Sequence, residues 1–216
     1  MKHKYIHLIF LISLIFISTR TYADSIEDMT ALMSQKLGDF NVLNESVIRG
    51  GMRVRLCQYC HGKDGNSVRS GVPNLAEQNP IYLLTQFEYF RTDKRKNKTM
   101  NELAKGLTQD ERVNVALYYA SQKVVIDTEL KNVSSVSYKS GEKIYKNICI
   151  NCHGAKGYGE QTMPRIAGQK SAFITETLTA YKTQKKLRPN SPMLAVSAAL
   201  SDSDISSIAS YVSFMK

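Results

Sequence analysis

The sequence predicts an all-α protein built from two tandem, related domains. Three observations predict it. The pentapeptide Cys-x-x-Cys-His occurs twice, as Cys57-Gln58-Tyr59-Cys60-His61 and Cys149-Ile150-Asn151-Cys152-His153. The residues after the two copies correspond to one another at an offset that drifts only between 91 and 93. Apolar residues recur at helical spacing, and no alternating strand pattern persists.

The correspondence is read residue by residue, because a repeat of this kind fixes the architecture. Val72-Pro73-Asn74-Leu75-Ala76-Glu77-Gln78 answers Met163-Pro164-Arg165-Ile166-Ala167-Gly168-Gln169. Phe90-Arg91 answers Tyr181-Lys182, and Arg95-x-Asn97-x-x-Met100 answers Arg188-x-Asn190-x-x-Met193. Leu107-Thr108 matches Leu200-Ser201, and Tyr118 matches Tyr211. The expected division is a signal peptide over 1–23, an N-terminal extension over 24–44, a first domain over 45–128, a linker over 129–138 and a second domain over 139–216. In the linker region Asn, Ser and Lys displace apolar residues.

The helices follow in order. Ile26, Met29, Met33 and Leu37 would share one face of a short amphipathic helix, with a loose extension as the alternative. Pro80 suits the first turn of a helix carrying Leu83, Leu84, Phe87 and Phe90. Thr108-Gln109-Asp110-Glu111 has the form of a capping box and opens a helix with Val115 and Tyr119 along it. Ser140 precedes a helix in which Ile144, Tyr145 and Ile148 share a face. Ser171 is a candidate cap for a helix with Ile174, Leu178 and Tyr181 inward. Ser201-Asp202-Ser203-Asp204 begins the last helix, with Ile205, Ile208 and Val212. The aromatic residues along these helices are read as core.

Cys-x-x-Cys-His is the attachment signature of c-type haem. Each thiol adds across a vinyl group of the haem, and the adjacent imidazole ligates the iron. The two copies use all four cysteines and the only histidines beyond the first dozen residues. A thioredoxin-like pair needs a βαβ context that is absent here, and a shared zinc site needs its Cys pairs 15–20 residues apart. These pairs lie 92 positions apart. Disulfides rarely join cysteines separated by two residues. Two covalently bound haem c groups are therefore expected, on Cys57 and Cys60 and on Cys149 and Cys152, with His61 and His153 as axial ligands. Glycines at 62–65 and 154–159 follow each motif, where backbone would pass close to a cofactor.

A His-ligated haem iron takes a sixth ligand or keeps an open site, and no further histidine is on hand. In the first repeat Met100, 39 positions after His61, is the one Met between Cys57 and Met163. In the second, Met163, Met193 and Met215 compete. Met163 aligns with Val72 and Met215 falls in the last helix, whereas Met193 aligns with Met100. Met100 and Met193 are the expected ligands, consistent with His/Met ligation in cytochromes c. The carbonyls of Pro73 and Pro164 stand where an acceptor would orient the Nδ1–H of each histidine.

The chain starts with Lys2 and Lys4, an apolar run from Leu8 to Ser18, and Thr21-Tyr22-Ala23, which has the anatomy of a cleaved secretory signal. An uncleaved anchor is the alternative, although a transmembrane helix wants about 20 apolar residues. The expected address is the periplasm, where c-type haem is attached. The formal charge is +10. Without residues 1–23, which hold Lys2, Lys4 and Arg20, 26 basic and 19 acidic side chains remain, or about +7. An exported protein seldom meets nucleic acid, so acidic protein surfaces, membrane headgroups and haem propionates are the expected partners of this charge.

The repeat resembles the dihaem class I cytochromes c, specifically the cytochrome c4 family, over about residues 45–216. The shared features are Cys-x-x-Cys-His-Gly, the Pro-x-Leu/Ile-Ala-x-Gln segment, Phe/Tyr-Arg/Lys before a basic loop, Arg-x-Asn before Met, and the Leu-Ser/Thr opening of the last helix. The resemblance implies two tandem all-α cytochrome c domains about a pseudo-twofold, each wrapped around one covalently attached haem, with propionates near the interface. It also implies that Arg95, Asn97, Arg188 and Asn190 help secure propionates. Glu77 departs from the pattern, standing where Gly is usual, and so does the leader before the first domain.

Six-coordinate haem leaves no place for substrate, so the expected function is electron carriage and not an enzyme activity. The resemblance implies transfer from a quinol-oxidising complex (quinol–cytochrome c reductase) to a terminal cytochrome c oxidase. Two alternatives stay open: the dihaem subunit of a larger dehydrogenase such as a flavocytochrome, and a dihaem peroxidase. Basic residues cluster before each axial Met: Arg91, Lys94, Arg95, Lys96 and Lys98, then Lys182, Lys185, Lys186 and Arg188. They are expected to steer docking onto acidic partners.

Overall fold

A computed structural model describes residues 25–126, 134–184 and 191–216. The signal segment 1–23, linker positions 129–133, and Lys185, Lys186, Arg188 and Asn190 lie outside the described residues. Every regular element among the described residues is helical. The one departure is an isolated antiparallel bridge between Glu160 and Met163.

The first half carries α1 (Ile26–Leu37), α2 (Phe40–Arg53), α3 (Gln58–His61), α4 (Pro80–Arg91), α5 (Lys98–Lys105) and α6 (Gln109–Ser121). The second carries α7 (Ser135–Ile144), a π-helical turn (Tyr145–Cys149), α8 (Ile150–His153), α9 (Ser171–Lys182), α10 (Met193–Ala198) and α11 (Asp202–Ser213). Pro80 occupies the first turn of α4. Thr108 with Glu111 and Ser201 with Asp204 close reciprocal capping boxes on α6 and α11. Each box satisfies backbone donors that the first turn leaves without an intrahelical partner. Two expected starts differ. Helix α7 begins at Ser135 under a Ser134 cap, five residues before Ser140. Helix α9 begins at Ser171 itself, with no side-chain cap from its N-cap Lys170. The Lys170 amide is instead taken by the Gln169 side chain at 2.9 Å.

Each half has its own apolar core. Leu83, Leu84, Phe87, Phe90, Val113, Val115, Ala116, Leu117 and Tyr119 form the first; Tyr145, Ile174, Leu178, Tyr181, Ile205, Ile208, Ala209 and Val212 form the second. In both, the helix before the haem motif crosses the last helix at a glycine. A Cβ on Gly50 of α2 would drive into the Asn114 carbonyl of α6, and one on Gly141 of α7 into the Ser207 carbonyl of α11. The crossing is close because there is no side chain there to hold the backbones apart.

Residues 24–44 were expected as an extension, and the boundary at 45 falls inside α2. Helix α1 is closed by a Ser25–Asp28 capping box, and its Met29 and Met33 are 0% and 1% exposed within the first core. No helix among the described residues of the second half corresponds to it. Under α1 lies a buried ion pair, Arg112 Nε to Glu88 Oε1 at 2.7 Å, with side chains 2% and 4% exposed. Arg112 also donates to the Leu107 carbonyl at 2.6 Å, and Arg91 donates to the other Glu88 oxygen at 2.8 Å. The equivalent positions in the second half are Thr179, which is exposed, and Ile205, which is buried. The added helix is what puts this charge pair out of water.

Candidate haem sites and the interface between them

In both halves the short helix after the crossing carries the motif, so both sulfurs and the imidazole leave one turn of backbone. His61 and His153 are 8% and 7% exposed. Their Nδ1 atoms each lie 2.9 Å from a proline carbonyl, Pro73 for His61 and Pro164 for His153. A carbonyl oxygen only accepts, so Nδ1 carries the proton and Nε2 keeps the lone pair that binds a metal. Burial pushes both imidazoles below the ordinary histidine pKa, against the pull of those carbonyls. The neutral imidazole that an iron ligand requires is thus the favoured form. Burial also raises the thiols of Cys57 and, to about 11, of Cys149.

The residues present fit a haem. Two thiols, an oriented neutral imidazole and a thioether are the donor set of a c-type haem with His/Met ligation. Each half also keeps a buried hydroxyl beside its site: Tyr119, which faces the Cys57 thiol, and Ser197, one helical turn past Met193, which has no hydrogen-bond partner among the described residues. Met100 and Met193 both pack, partly buried, against the cores of their own halves. Met163 sits in the Glu160–Met163 bridge, and its carbonyl accepts from Asn79 Nδ2 at 2.6 Å. Met215 is buried in the second core.

Arg95 donates to Gln86 at 2.8 Å, its guanidinium stacks 4.5 Å from the Phe90 ring centre, and its charge helps depress His61. Asn97 does something that the sequence did not indicate. It is the N-cap of α5, and its side chain accepts from the backbone N–H of Met100 at 3.0 Å. It therefore positions the residue expected as ligand, and its side-chain NH2 is what is left for a propionate. Lys94, Lys96 and Lys98 are exposed beside it. Lys182, counted with the second basic stretch, is paired with Asp202 at 2.7 Å.

The two halves meet through the loops that carry Pro73 and Pro164, and equivalent residues do equivalent work. Gln78 accepts from Arg165 N–H at 2.7 Å and donates to the Arg165 carbonyl at 2.9 Å. Gln169 accepts from Asn74 N–H at 2.7 Å and donates to the Asn74 carbonyl at 3.0 Å. These exchanged bonds are the contact pattern of a pseudo-twofold interface. All four residues are buried. Glu77, beside Gln78, takes φ +53, close to the +71 of Gly168 at the equivalent position. A left-handed non-glycine residue costs about 1–2 kcal/mol. Glu77 is held there by contacts with Lys123, Val124 N–H and Arg165. Neither the glutamine exchange nor the Glu77 contacts were read from the sequence, although the repeat had already aligned Gln78 with Gln169.

No helix among the described residues is long and apolar enough to cross a membrane. Comparison with known proteins agrees with the geometry. The Cytochrome c family model matches residues 138–216. Cytochrome c4 of Pseudomonas aeruginosa is 31% identical over 172 residues, covering 76% of this chain and 85% of its own length. The thiosulfate dehydrogenase electron acceptor of Stutzerimonas stutzeri is 28% identical over 166 residues, covering 72% and 76%. The crystal structure of reduced recombinant cytochrome c4 from Pseudomonas stutzeri superposes with a TM-score of 0.71 at 27% identity, covering 77% of this chain and 97% of that one. With two Cys-x-x-Cys-His helices, two carbonyl-held histidines and two all-α halves joined by exchanged glutamine bonds, the chain belongs to the cytochrome c4 family of dihaem electron-transfer proteins, which bind two haem c groups.

Proposed function

We propose that this chain is a periplasmic electron carrier that passes electrons from a quinol-oxidising complex to a terminal oxidase. The observation that carries this reading is the doubled site, with an oriented axial histidine and a packed methionine in each half. In it, Cys57, Cys60, Cys149 and Cys152 hold the haems, His61 and His153 are the axial ligands on one side, and Met100 and Met193 are those on the other. Arg95, Asn97, Arg188 and Asn190 serve the propionates. Bound haem supplies a one-electron Fe(II)/Fe(III) couple, and everything else falls to the protein. The proline carbonyls fix the imidazoles, and the methionine sulfurs fill the position that a substrate would need. Burial among the core side chains disfavours the more highly charged ferric state. Exposed Lys94, Lys96 and Lys98 present positive charge on the way to Met100.

A second reading, an electron-accepting partner of a dehydrogenase, is favoured by the similarity to a thiosulfate dehydrogenase electron acceptor. The test begins with the mature protein, whose mass should equal the polypeptide from about Asp24 plus two haems. Carbon monoxide should bind slowly or not at all to the reduced form. Electron exchange is then measured separately with quinol–cytochrome c reductase, with terminal oxidase and with thiosulfate dehydrogenase as the salt is raised. Carriage between the first two predicts fast exchange with both, slowing as salt shortens the reach of the charge to about 10 Å at 0.1 M. Lys94→Glu with Lys96→Glu should slow the exchange at low salt. Fast exchange with the dehydrogenase alone would establish the second reading. Rapid carbon monoxide binding would overturn both.

A further inference from the structure

The glutamine bonds do not end at arbitrary peptide groups. The Arg165 N–H that donates to Gln78 belongs to the same peptide unit as the Pro164 carbonyl, and that carbonyl accepts from His153 Nδ1. The Asn74 N–H that donates to Gln169 belongs to the same unit as the Pro73 carbonyl, which accepts from His61 Nδ1. Two chains of hydrogen bonds result. One runs from Gln78 through the 164–165 peptide to His153, and the other from Gln169 through the 73–74 peptide to His61. Each starts in one half and ends on the imidazole of the other.

We infer that Gln78 and Gln169 are positioning residues for the haem across the interface, Gln78 for the one ligated by His153 and Gln169 for the one ligated by His61. Hydrogen bonds in series polarise one another. A peptide whose N–H is engaged has a more electron-rich carbonyl, and that carbonyl draws harder on the Nδ1 proton. The imidazole gains anionic character, becomes a stronger donor to iron and favours Fe(III). Partners of this kind, one step removed from the metal, tune ligand basicity and orientation. Geometry adds to electronics. Each glutamine also donates to the next carbonyl, so the peptide is clamped from both sides. The clamp is buried and its oxygen is doubly used, accepting as well from Asn79 N–H at 3.0 Å in one half and Lys170 N–H at 2.9 Å in the other. Separating the halves would therefore unclamp both proline peptides at once while each imidazole keeps its own carbonyl, and the potentials belong to the assembled pair.

This inference rests on His61 and His153 being the axial ligands, which the low-spin spectrum and two-haem mass of each variant check independently of the outcome below. Gln78→Leu and Gln169→Leu are made separately in the full holoprotein. Each couple is followed by potentiometric titration, and paramagnetic NMR of the axial-ligand signals assigns each potential to its haem. Gln78→Leu should raise the ferrous-to-ferric ratio of the His153 haem at fixed ambient potential by about threefold to tenfold, where tenfold is 59 mV for one electron. The His61 haem should stay put. Gln169→Leu should do the reverse. A shift in the haem of the same half, an equal shift in both, or no shift would overturn the inference. Should either variant fail to fold, the reduced native protein decides. A through-hydrogen-bond coupling between the Arg165 amide nitrogen and the Gln78 side-chain carbonyl carbon is expected, with its counterpart between Asn74 and Gln169. Their absence would overturn it equally.

Discussion

Removing Arg112 alone should damage the first half far more than removing Arg112 and Glu88 together. The pair is 2.7 Å apart with side chains 2% and 4% exposed, under α1. Replacing Arg112 with Met leaves the Glu88 carboxylate buried, with Arg91 as its remaining cation at 2.8 Å and 29% exposed. Breaking a buried pair costs about 3–5 kcal/mol. Arg91 offsets part of this, and the lost bond to the Leu107 carbonyl adds to it, so about 3 kcal/mol is expected for Arg112→Met. Adding Glu88→Leu removes the stranded charge, and apolar replacements of buried pairs are often neutral or better. The double variant should therefore lie within about 1 kcal/mol of the parent, so adding Glu88→Leu recovers about 2 kcal/mol of the loss. Urea unfolding of the oxidised holoprotein, followed at the haem bands, measures both. With slopes of about 1–3 kcal/mol/M, the single variant should lose about 1–3 M in its midpoint. A loss in the double variant as large as or larger than that in the single would mean that the carboxylate is not stranded, and that the burial under α1 does not set the energetics.

The remaining predictions concern the crossings, the ligands and the interface. Gly50→Ala and Gly141→Ala should each destabilise by about 3 kcal/mol, since the new methyl meets backbone that no rotamer change can move aside; urea midpoints read the loss, and a neutral result would mean that the helices can slide apart. Met100→Ala and Met193→Ala should each remove one half of the far-red Met–Fe(III) band and lower that haem's potential, while Met163→Ala leaves both unchanged. If Met163→Ala abolishes a band and Met193→Ala does not, the alignment of the repeats is wrong at that point. Burial pushes the Glu77 carboxyl up, but the bonds from Lys123 and Val124 and the Arg165 charge outweigh it and hold the group below the ordinary carboxylate value. Its folded pKa is thus the lower one. The stabilisation is complete above the unfolded value of about 4.3 and is lost as pH falls through the folded value. Glu77→Gln should lower thermal stability near neutrality by under about 1 kcal/mol, because the group is part exposed, and should flatten the decline below about pH 4. An unchanged acid limb would remove Glu77 from the interface.

The sequence by itself determined whatever is written in local spacing. Two thiols and an imidazole within five residues specify a haem attachment whatever surrounds them, and a duplicated motif with a 91–93 offset specifies two domains of one kind. The capping box at Thr108 was legible for the same reason, since donor and acceptor lie three residues apart, and Ser201 was legible as a helix start. Only the tertiary structure decided contacts between residues far apart in the chain. The stripe of Met29 and Met33 showed that α1 could bury a face, but not that it would cover Glu88 and Arg112, because an amphipathic pattern does not name its partner. Ser171 showed a capping residue type, yet the Lys170 amide was claimed by Gln169, whose own place is set by Asn74 in the other half. Asn97 was assigned through the family pattern to a propionate, and its side chain was found accepting from Met100 N–H, three residues on. The glutamine exchange was invisible for the deepest reason. A Gln at matching positions of two repeats is chemically mute until the halves dock, and only then does its amide meet the peptide behind the other half's histidine.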